Sequence, residues 1–235
     1  MVKYYCIFGI DESRREFLHD QFAKYGPQSV EMIEGNNIDS LTPESISKIY
    51  DRDINVDRER TAQCQAIYPY YWHNLTLGQI ACTYKHYLAI SKFLFETDEE
   101  YCVIMEDNVS FNGPVESTVN RALKELEGLN WDMIFDSDIC LIKYLGRSRP
   151  DKIAYRVMRD GKNVALVSNG GEGGTKGANF YILNRESAQK LYDNFLPFTT
   201  VVDFYYNYLI RKLGLTVYWI HPNNVHKVDR PSTCQ

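Results

Sequence analysis

The feature that most constrains the fold of this chain is an alternation of two kinds of segment along most of its length. Short apolar runs alternate with segments in which apolar residues recur every three or four positions. An apolar run between turn residues predicts a buried strand, and apolar residues spaced three and four apart predict a helix with one buried face. Strands that alternate with helices build an α/β fold, in which a mostly parallel, twisted sheet carries helices on both faces. We expect one such domain over residues 1–235.

The apolar runs predict strands at Tyr4–Ile10, Val30–Ile33, Tyr101–Met105, Trp131–Phe135, Asn179–Leu183 and Leu215–Ile220. The helical pattern and its capping residues predict a helix after an N-cap at Ser13, a short helix that begins at Thr42-Pro43-Glu44, and the helices Leu77–Phe95, Glu116–Glu127 with Gly128 at its C-cap, Ser187–Phe195 and Val202–Leu213. Two stretches carry neither pattern, the charged Asp51–Arg60 and the glycine-rich Gly161–Gly177. We interpret the second as a mobile loop that closes over a bound ligand.

Charge and cysteine content narrow the class of protein. The chain has 26 Lys and Arg against 31 Asp and Glu, a net charge of -5, and no basic stripe that would follow a phosphate backbone, so nucleic acid is not expected as a partner. The six cysteines form no CxxC pair, which favours buried thiols in a reducing compartment. No signal peptide or transmembrane run is evident, and we expect a cytoplasmic protein. The sequence leaves the oligomeric state open.

Oxygen-bearing side chains follow the predicted strand Tyr101–Met105. Ligands of open α/β sheets bind beyond the carboxyl ends of the strands, where Glu106, Asp107 and Asn108 stand. Clustered hard oxygens suit Mg²⁺ or Mn²⁺; the alternative is that they cap a helix or pair with Arg or Lys. Because the cluster follows a strand, we expect Asp107→Ala or Glu106→Ala to abolish turnover and spare the fold.

A second acidic group follows the strand Trp131–Phe135. Asp136-Ser137-Asp138 has an Asp-x-Asp form and would line the same cleft as the first cluster. The alternative is a solvated turn.

Several segments together resemble glycosyltransferase family 25. Residues 75–86 (LTLGQIACTYKH) and 103–111 (VIMEDNVSF) are similar to the family's Gly-Glu-Ile-(Gly/Ala)-Cys, Ser-His and Glu-Asp-Asp-(Val/Leu)-x-Phe signature. Residues 129–135 (LNWDMIF), 177–185 (GANFYILNR) and 202–204 (VDF) resemble later segments of the family in the same order. The resemblance extends over nearly the whole chain.

The resemblance implies a GT-A fold and the inverting transfer of a hexose, galactose or glucose, from a UDP-sugar to a hydroxyl group. Family members act on lipooligosaccharide and on collagen hydroxylysine, so the implied acceptor is a glycan or a hydroxylysine-containing protein. An inverting transfer needs a base for the acceptor proton and a cation for the departing diphosphate. The expected cofactor is therefore Mn²⁺ or Mg²⁺.

Asp203 is the expected base. It stands at the start of an otherwise apolar and aromatic helix and matches the family's Val-Asp pair. A first-turn Asp favoured by the helix dipole is the alternative, in which case Asp138 becomes the candidate base. In the same interpretation Glu106 and Asp107 contact both the metal and the nucleotide, and Asn108 is a further metal ligand.

Four basic or imidazole side chains complete the expected site. Arg14 and Arg15 follow the first strand, where a GT-A fold seats the nucleotide; the alternative is a pair of solvated helix charges. His86 is expected to contact the donor or to be a hydrogen-bonded core histidine. His226 follows the last strand and is expected to be a metal ligand; the alternative is a surface loop.

Three positions depart from the family pattern. Asn108 replaces a carboxylate, Lys85 replaces Ser before the histidine, and Phe204 replaces Glu after Asp203. Loss of a negative charge at Asn108 predicts weaker cation binding. The departures leave open a catalytically inert relative that binds a sugar nucleotide or glycan, and a metal-dependent hydrolase is a more distant alternative.

Overall fold

The computed structural model describes residues 1–9, 11–35, 38–51, 75–136, 164–167, 177–220 and 222–228. Its strands are β1 (Val2–Ile7), β2 (Glu31–Ile33), β3 (Tyr101–Glu106), β4 (Val109–Phe111), β5 (Met133–Phe135), β6 (Val164–Val167), β7 (Phe180–Asn184), β8 (Val217–Ile220) and β9 (Val225–Lys227). Its helices are α1 (Glu12–Tyr25), α2 (Pro43–Ile49), α3 (Leu77–Glu96), α4 (Val115–Glu125), α5 (Arg185–Phe195) and α6 (Val202–Leu213), and Ile38–Ser40 forms a 3₁₀ turn.

Seven of these strands form one sheet in the order β2-β1-β3-β7-β5-β8-β6. The pairs β1–β2, β1–β3 and β5–β8 are parallel, whereas β7 is antiparallel to β3 and β5, and β6 is antiparallel to β8. The carboxyl ends of β1, β3 and β5 therefore meet at the same edge of the sheet as the amino end of β7. Beyond the sheet, β4 and β9 pair as an antiparallel ribbon.

Two hydrophobic cores lie on opposite faces of this sheet. Successive side chains of a strand point to opposite faces, and the neighbours Ile104 and Met105 of β3 are accordingly buried in different cores. The first core contains apolar residues of α3, α5 and α6. The second contains residues of α1 and α4. The α/β class with helices on both faces of the sheet is confirmed.

Most predicted elements are present, with shifted ends. The bounds of α6 agree with the prediction, and Thr42 caps α2 as expected. The N-cap of α1 is Asp11 and not Ser13, because the Asp11 carboxylate accepts the backbone N–H of Ser13. The helix expected to reach Glu127 ends at Glu125, with Leu126 at its C-cap.

The prediction of a loop throughout Gly161–Gly177 is wrong in part, because Val164–Val167 pairs with β8 as an edge strand. The remainder of that loop up to residue 176, and Asp51–Arg60 apart from Asp51, lie outside the described residues. Within the described parts of the chain, no helix is long and apolar enough to span a membrane.

Candidate active site

Two neighbouring carboxylates at the end of β3, Glu106 and Asp107, lie on opposite faces of the sheet. Glu106 follows the alternation of Cys102 and Ile104 towards α3, and Asp107 follows Val103 and Met105 towards α1. The two acidic side chains that the sequence placed in one cluster therefore have different surroundings.

Asp107 forms a buried ion pair with Arg14. One Asp107 oxygen accepts a hydrogen bond from Nη1 of Arg14 at 2.6 Å, and the other accepts the backbone N–H of Gly9 at 2.8 Å. Arg14 and Asp107 are 2% and 6% exposed. Burial raises the pKa of Asp107, and the hydrogen bond from Gly9 and the charge of Arg14 oppose that increase. The contacts tie the end of β3 to β1 and α1.

Glu106 lies between an imidazole and an amide. Its Oε1 is 3.6 Å from Nε2 of His86, and its Oε2 accepts a hydrogen bond of 3.1 Å from Nδ2 of Asn179, the residue before β7. The same Asn179 nitrogen donates to Oδ1 of Asn108 at 3.1 Å. Burial raises the pKa of Glu106, but contacts with His86, the charge of Lys227 and the Asn108 amide outweigh it and leave the pKa lower than usual. Glu106 is therefore an anion at neutral pH.

His86 begins a buried chain of hydrogen bonds. The side chain is 0% exposed, and its Nδ1 is 2.9 Å from the Tyr181 hydroxyl, which is 2.6 Å from the Tyr206 hydroxyl. Burial raises the pKa of both tyrosines, so both hydroxyls keep their protons. This chain of hydrogen bonds fixes the orientation of the imidazole against Glu106.

Asp203 lies in the first turn of α6, next to this group. Its Oδ1 accepts the backbone N–H of Ala178 at 2.6 Å. Burial and the charge of Glu106 raise the pKa of Asp203, and Ala178, Lys227 and His86 oppose the increase. A carboxylate with a raised pKa next to an ionised neighbour is suited to take up a proton.

Replacing Asp203 with Asn should raise the thermal stability of the protein at neutral pH. The pKa of Asp203 is higher in the folded chain than the value of about 3.9 expected for an unfolded Asp. Its contribution to stability is complete below the unfolded pKa and is lost as the pH rises through the folded pKa. Asn keeps an oxygen for the Ala178 N–H and cannot ionise. Melting temperatures at about pH 4 and at neutral pH should show the larger gain at neutral pH, and no gain there would contradict the raised pKa.

The ribbon of β4 and β9 lies beside the site, where the backbone N–H of Val228 donates to the carbonyl oxygen of Asn108 at 2.7 Å. Lys227 on β9 is close enough to Glu106 and Asp203 for its positive charge to act on both carboxylates. It contributes to the lowered pKa of Glu106 and partly offsets the raised pKa of Asp203. The expected metal ligand His226 contacts the Asn112 side chain. Asp136 is 1% exposed and anchors the ribbon, since its Oδ1 accepts the backbone N–H groups of Asn224 and Val225.

The other expected site residues have separate positions. Arg15 is on the surface of α1, where it pairs with Glu34 at 2.7 Å and stacks over Phe8. Asp138 lies outside the described residues. Lys85 is buried, and its Nζ donates to the carbonyl oxygen of Phe8, the residue after β1. The structure thus brings Glu106, Asn108, His86 and Asp203 together, and the ligand roles of Arg14, Arg15, Asp107 and His226 stay predictions.

Three members of the site were missed in the sequence analysis. Asn179 directly precedes β7 and Lys227 ends β9. The sequence signal, a polar residue at the end of a strand, was applied to the residues after β3, after the strand Trp131–Phe135 and after the last predicted strand, but not to these two. Cys82 lies four residues before His86 on α3, the spacing that places two side chains on one helix face. Its Sγ, an imidazole nitrogen of His86 and a Glu106 oxygen all lie within 4.8 Å of one another.

Carboxylates and an imidazole at the strand-end edge of an α/β sheet form the kind of site at which α/β enzymes bind their ligands. The model of glycosyltransferase family 25, described as an LPS biosynthesis protein, matches residues 7–206. The chain belongs to this family, so the motif resemblance is confirmed and the class of protein is a glycosyltransferase.

None of the curated proteins compared with the chain matches it. Among solved structures, the crystal structure of A197 from STIV is similar with a TM-score of 0.39 and 15% identity, over 63% of this chain and 68% of that chain.

Proposed function

We propose that the protein transfers a hexose, galactose or glucose, from a UDP-sugar to a hydroxyl group with inversion, and that Asp203 is the base. The observation that carries the proposal is the position of Asp203, which is held by Ala178 and has a pKa raised by burial and by Glu106. A base is most effective when its pKa lies near the working pH, which an ordinary surface Asp does not approach. The proposed acceptor is a glycan or a hydroxylysine-containing protein, and a cytoplasmic location stays a prediction.

The proposed step uses the groups of the site as follows. The acceptor hydroxyl gives its proton to the carboxylate of Asp203 while its oxygen forms a bond to the anomeric carbon. The bond between that carbon and the diphosphate oxygen breaks, and its electron pair leaves with UDP. The leaving group gains negative charge, which a nearby cation stabilises. Lys227 supplies one positive charge at this end of the sheet, next to Glu106 and Asp203.

The proposed Mn²⁺ or Mg²⁺ fits part of the expected ligand set. Glu106 Oε2 and Asn108 Oδ1 both accept hydrogen bonds from one Asn179 nitrogen, so these two hard oxygens lie close together, and each keeps a second lone pair for an ion. Asp107 fits less well, because the buried guanidinium of Arg14, 2.6 Å away, already neutralises its charge. Such an ion is usually held by one or two carboxylates plus substrate phosphates, and it would neutralise the diphosphate charge. Glu106 and Asn108 would hold it.

The direct test is UDP release from UDP-galactose and UDP-glucose, with and without a hydroxylysine peptide or a glycan acceptor. Release that requires the acceptor supports transfer. Release without an acceptor would indicate a hydrolase, and donor binding without release would indicate the inert relative. Either of these two results would overturn the proposal.

Asn108→Asp should lower the Mn²⁺ concentration that gives half-maximal activity. The substitution restores a second negative charge next to Glu106, and Asp can still accept the hydrogen bond from Asn179. Activity is measured over a Mn²⁺ titration at saturating donor. Asn120→Asp adds the same charge on the exposed side of α4 and is the matched control. If both variants behave like the parent, Asn108 is not a ligand of the ion.

A further inference from the structure

Cys82, His86 and Glu106 form a group that places a thiol and an imidazole beside Glu106, which is also a proposed ligand of Mn²⁺ or Mg²⁺ through its other oxygen. Cys82 and His86 lie one turn apart on α3, and Glu106 ends β3 opposite them. One ligand atom from each residue lies within 4.8 Å of the other two. The chain thus brings together a thiol, an imidazole and a carboxylate that are far apart in sequence.

The imidazole of His86 points a nitrogen into this group without a hydrogen bond. Nε2 is completely buried, and it is 3.6 Å from Glu106 Oε1, beyond hydrogen-bonding distance. A buried polar atom that forms no hydrogen bond costs free energy unless a ligand satisfies it. A metal ion bound by the Nε2 lone pair would satisfy it.

The surroundings of the group match the outer shell of a metal site. Histidines that bind metals usually give the other ring N–H to an oxygen, which fixes the tautomer and the ring. Nδ1 of His86 lies 2.9 Å from the Tyr181 hydroxyl, which can in turn donate to Tyr206. Asn179 holds Oε2 of Glu106, and this leaves Oε1 on the side of His86.

The distances suit a small tetrahedral ion. Zinc bonds of the usual lengths to sulfur, nitrogen and oxygen place neighbouring ligand atoms roughly 3.3 to 3.6 Å apart. The separation of His86 Nε2 from Glu106 Oε1 is 3.6 Å, and the largest separation in the group is within 4.8 Å. Shifts of about 1 Å, within the reach of side-chain rotation, would therefore complete the coordination.

We propose that Cys82, His86 and Glu106 form a binding site for Zn²⁺ or a similar thiolate-binding ion. A thiolate and an imidazole select such ions over Mg²⁺ and Mn²⁺, which prefer oxygen. Binding releases the Cys82 thiol proton, and the charges of the thiolate and of Glu106 then balance the ion. Three protein ligands leave one position for water or an incoming group. The ion would connect α3 to the end of β3 and so would raise stability.

Cobalt spectroscopy tests the site in the whole 235-residue chain, without any sugar nucleotide. Co²⁺ added to the reduced, metal-free protein should give a thiolate charge-transfer band in the near ultraviolet with one ion per chain, and Zn²⁺ should abolish the band. Excess Mg²⁺ should not. Cys82→Ala should lose the band, with a loss of affinity greater than the roughly 10- to 100-fold cost of losing an outer-shell partner.

Cys102→Ala is the matched control, because Cys102 is a buried cysteine of β3 in the same core. It should retain the band. Tyr181→Phe keeps all three ligands and removes the partner of Nδ1, so it should weaken Co²⁺ binding by about 10- to 100-fold. A band that survives Cys82→Ala would place the ion on other cysteines and overturn the proposal.

A second measurement uses the unmodified sequence and so does not depend on the folding of any variant. Zn²⁺ should slow alkylation of Cys82, located by mass spectrometry, and a rate that zinc leaves unchanged would contradict the site. Neither measurement involves transfer, so failure here leaves the proposed function untouched. An inactive protein that still shows the Cys82-dependent band would overturn that function alone.

Discussion

Asp203→Asn should reduce hexose transfer by about 100-fold or more, the usual scale for the loss of a general base, and should leave UDP-sugar binding nearly unchanged. Asn has the size of Asp and keeps an oxygen for the Ala178 N–H, so the start of α6 should retain its position. The substitution removes the negative charge of Asp203 and with it the ability to take up the acceptor proton. Initial rates of transfer and calorimetric titration with the donor measure the two effects separately.

Asp193→Asn is the matched control for this substitution. Asp193 is an exposed Asp on another helix, α5, where it accepts a hydrogen bond from Gln189, and it is not part of the site. Its replacement should leave transfer at the parental rate. If Asp203→Asn also transfers at nearly that rate, Asp203 has only an anchoring role for Ala178, and Asp138 becomes the base to test.

The order of elements could be predicted from the sequence because it depends on local patterns. Apolar runs and helical spacing are properties of short windows, and they identify β3 and α6 to within a residue or two. Strand direction is different. That β7 is antiparallel to both β3 and β5 is decided by long-range pairing, which the pattern of one segment does not contain.

In the candidate site, too, some features follow from local sequence patterns and others from long-range pairing. The sequence identified Glu106 and Asp203, since polar residues at the end or start of apolar elements require a reason. It did not separate Glu106 from Asp107, although strand alternation alone sends neighbours to opposite faces. Asn179 contacts Glu106 across 73 positions of sequence, and only the pairing of β3 with β7 brings the two together.

The buried ion pair of Arg14 and Asp107 argues against one expectation from the sequence, that Asp107 can be replaced without loss of the fold because it follows a strand. Asp107 was expected to tolerate Ala without loss of the fold, but it is 6% exposed and its charge is neutralised by Arg14 at 2.6 Å. Removing either partner leaves an uncompensated charge in a medium of low polarity. Loss of turnover in Asp107→Ala would therefore combine unfolding with any effect on ligand binding, and Glu106→Gln is the cleaner probe of the proposed Mn²⁺ or Mg²⁺ site.

Arg14→Met should lower the free energy of unfolding by about 3–5 kcal/mol, the usual cost of breaking a buried ion pair from one side. Met retains much of the apolar stem of Arg, so the loss reports mainly the unpaired Asp107 carboxylate. Arg15→Met is the matched control on the next residue of α1. Its ion pairs with Glu12 and Glu34 are exposed to water, and surface pairs contribute about 0–1 kcal/mol. Urea denaturation measures both variants under the same conditions.

The double variant Arg14→Met with Asp107→Leu separates the charge effect from packing. If the cost of Arg14→Met comes from the buried carboxylate, replacing that carboxylate as well should recover much of the lost stability, because apolar residues can substitute for a buried ion pair. The Gly9 N–H would lose its acceptor, which limits the recovery by about 1–3 kcal/mol. Equal stabilities of Arg14→Met and Arg15→Met would show that the Arg14 pair contributes no more than a surface pair, and Asp107 would then be able to leave Arg14 and bind a metal ion.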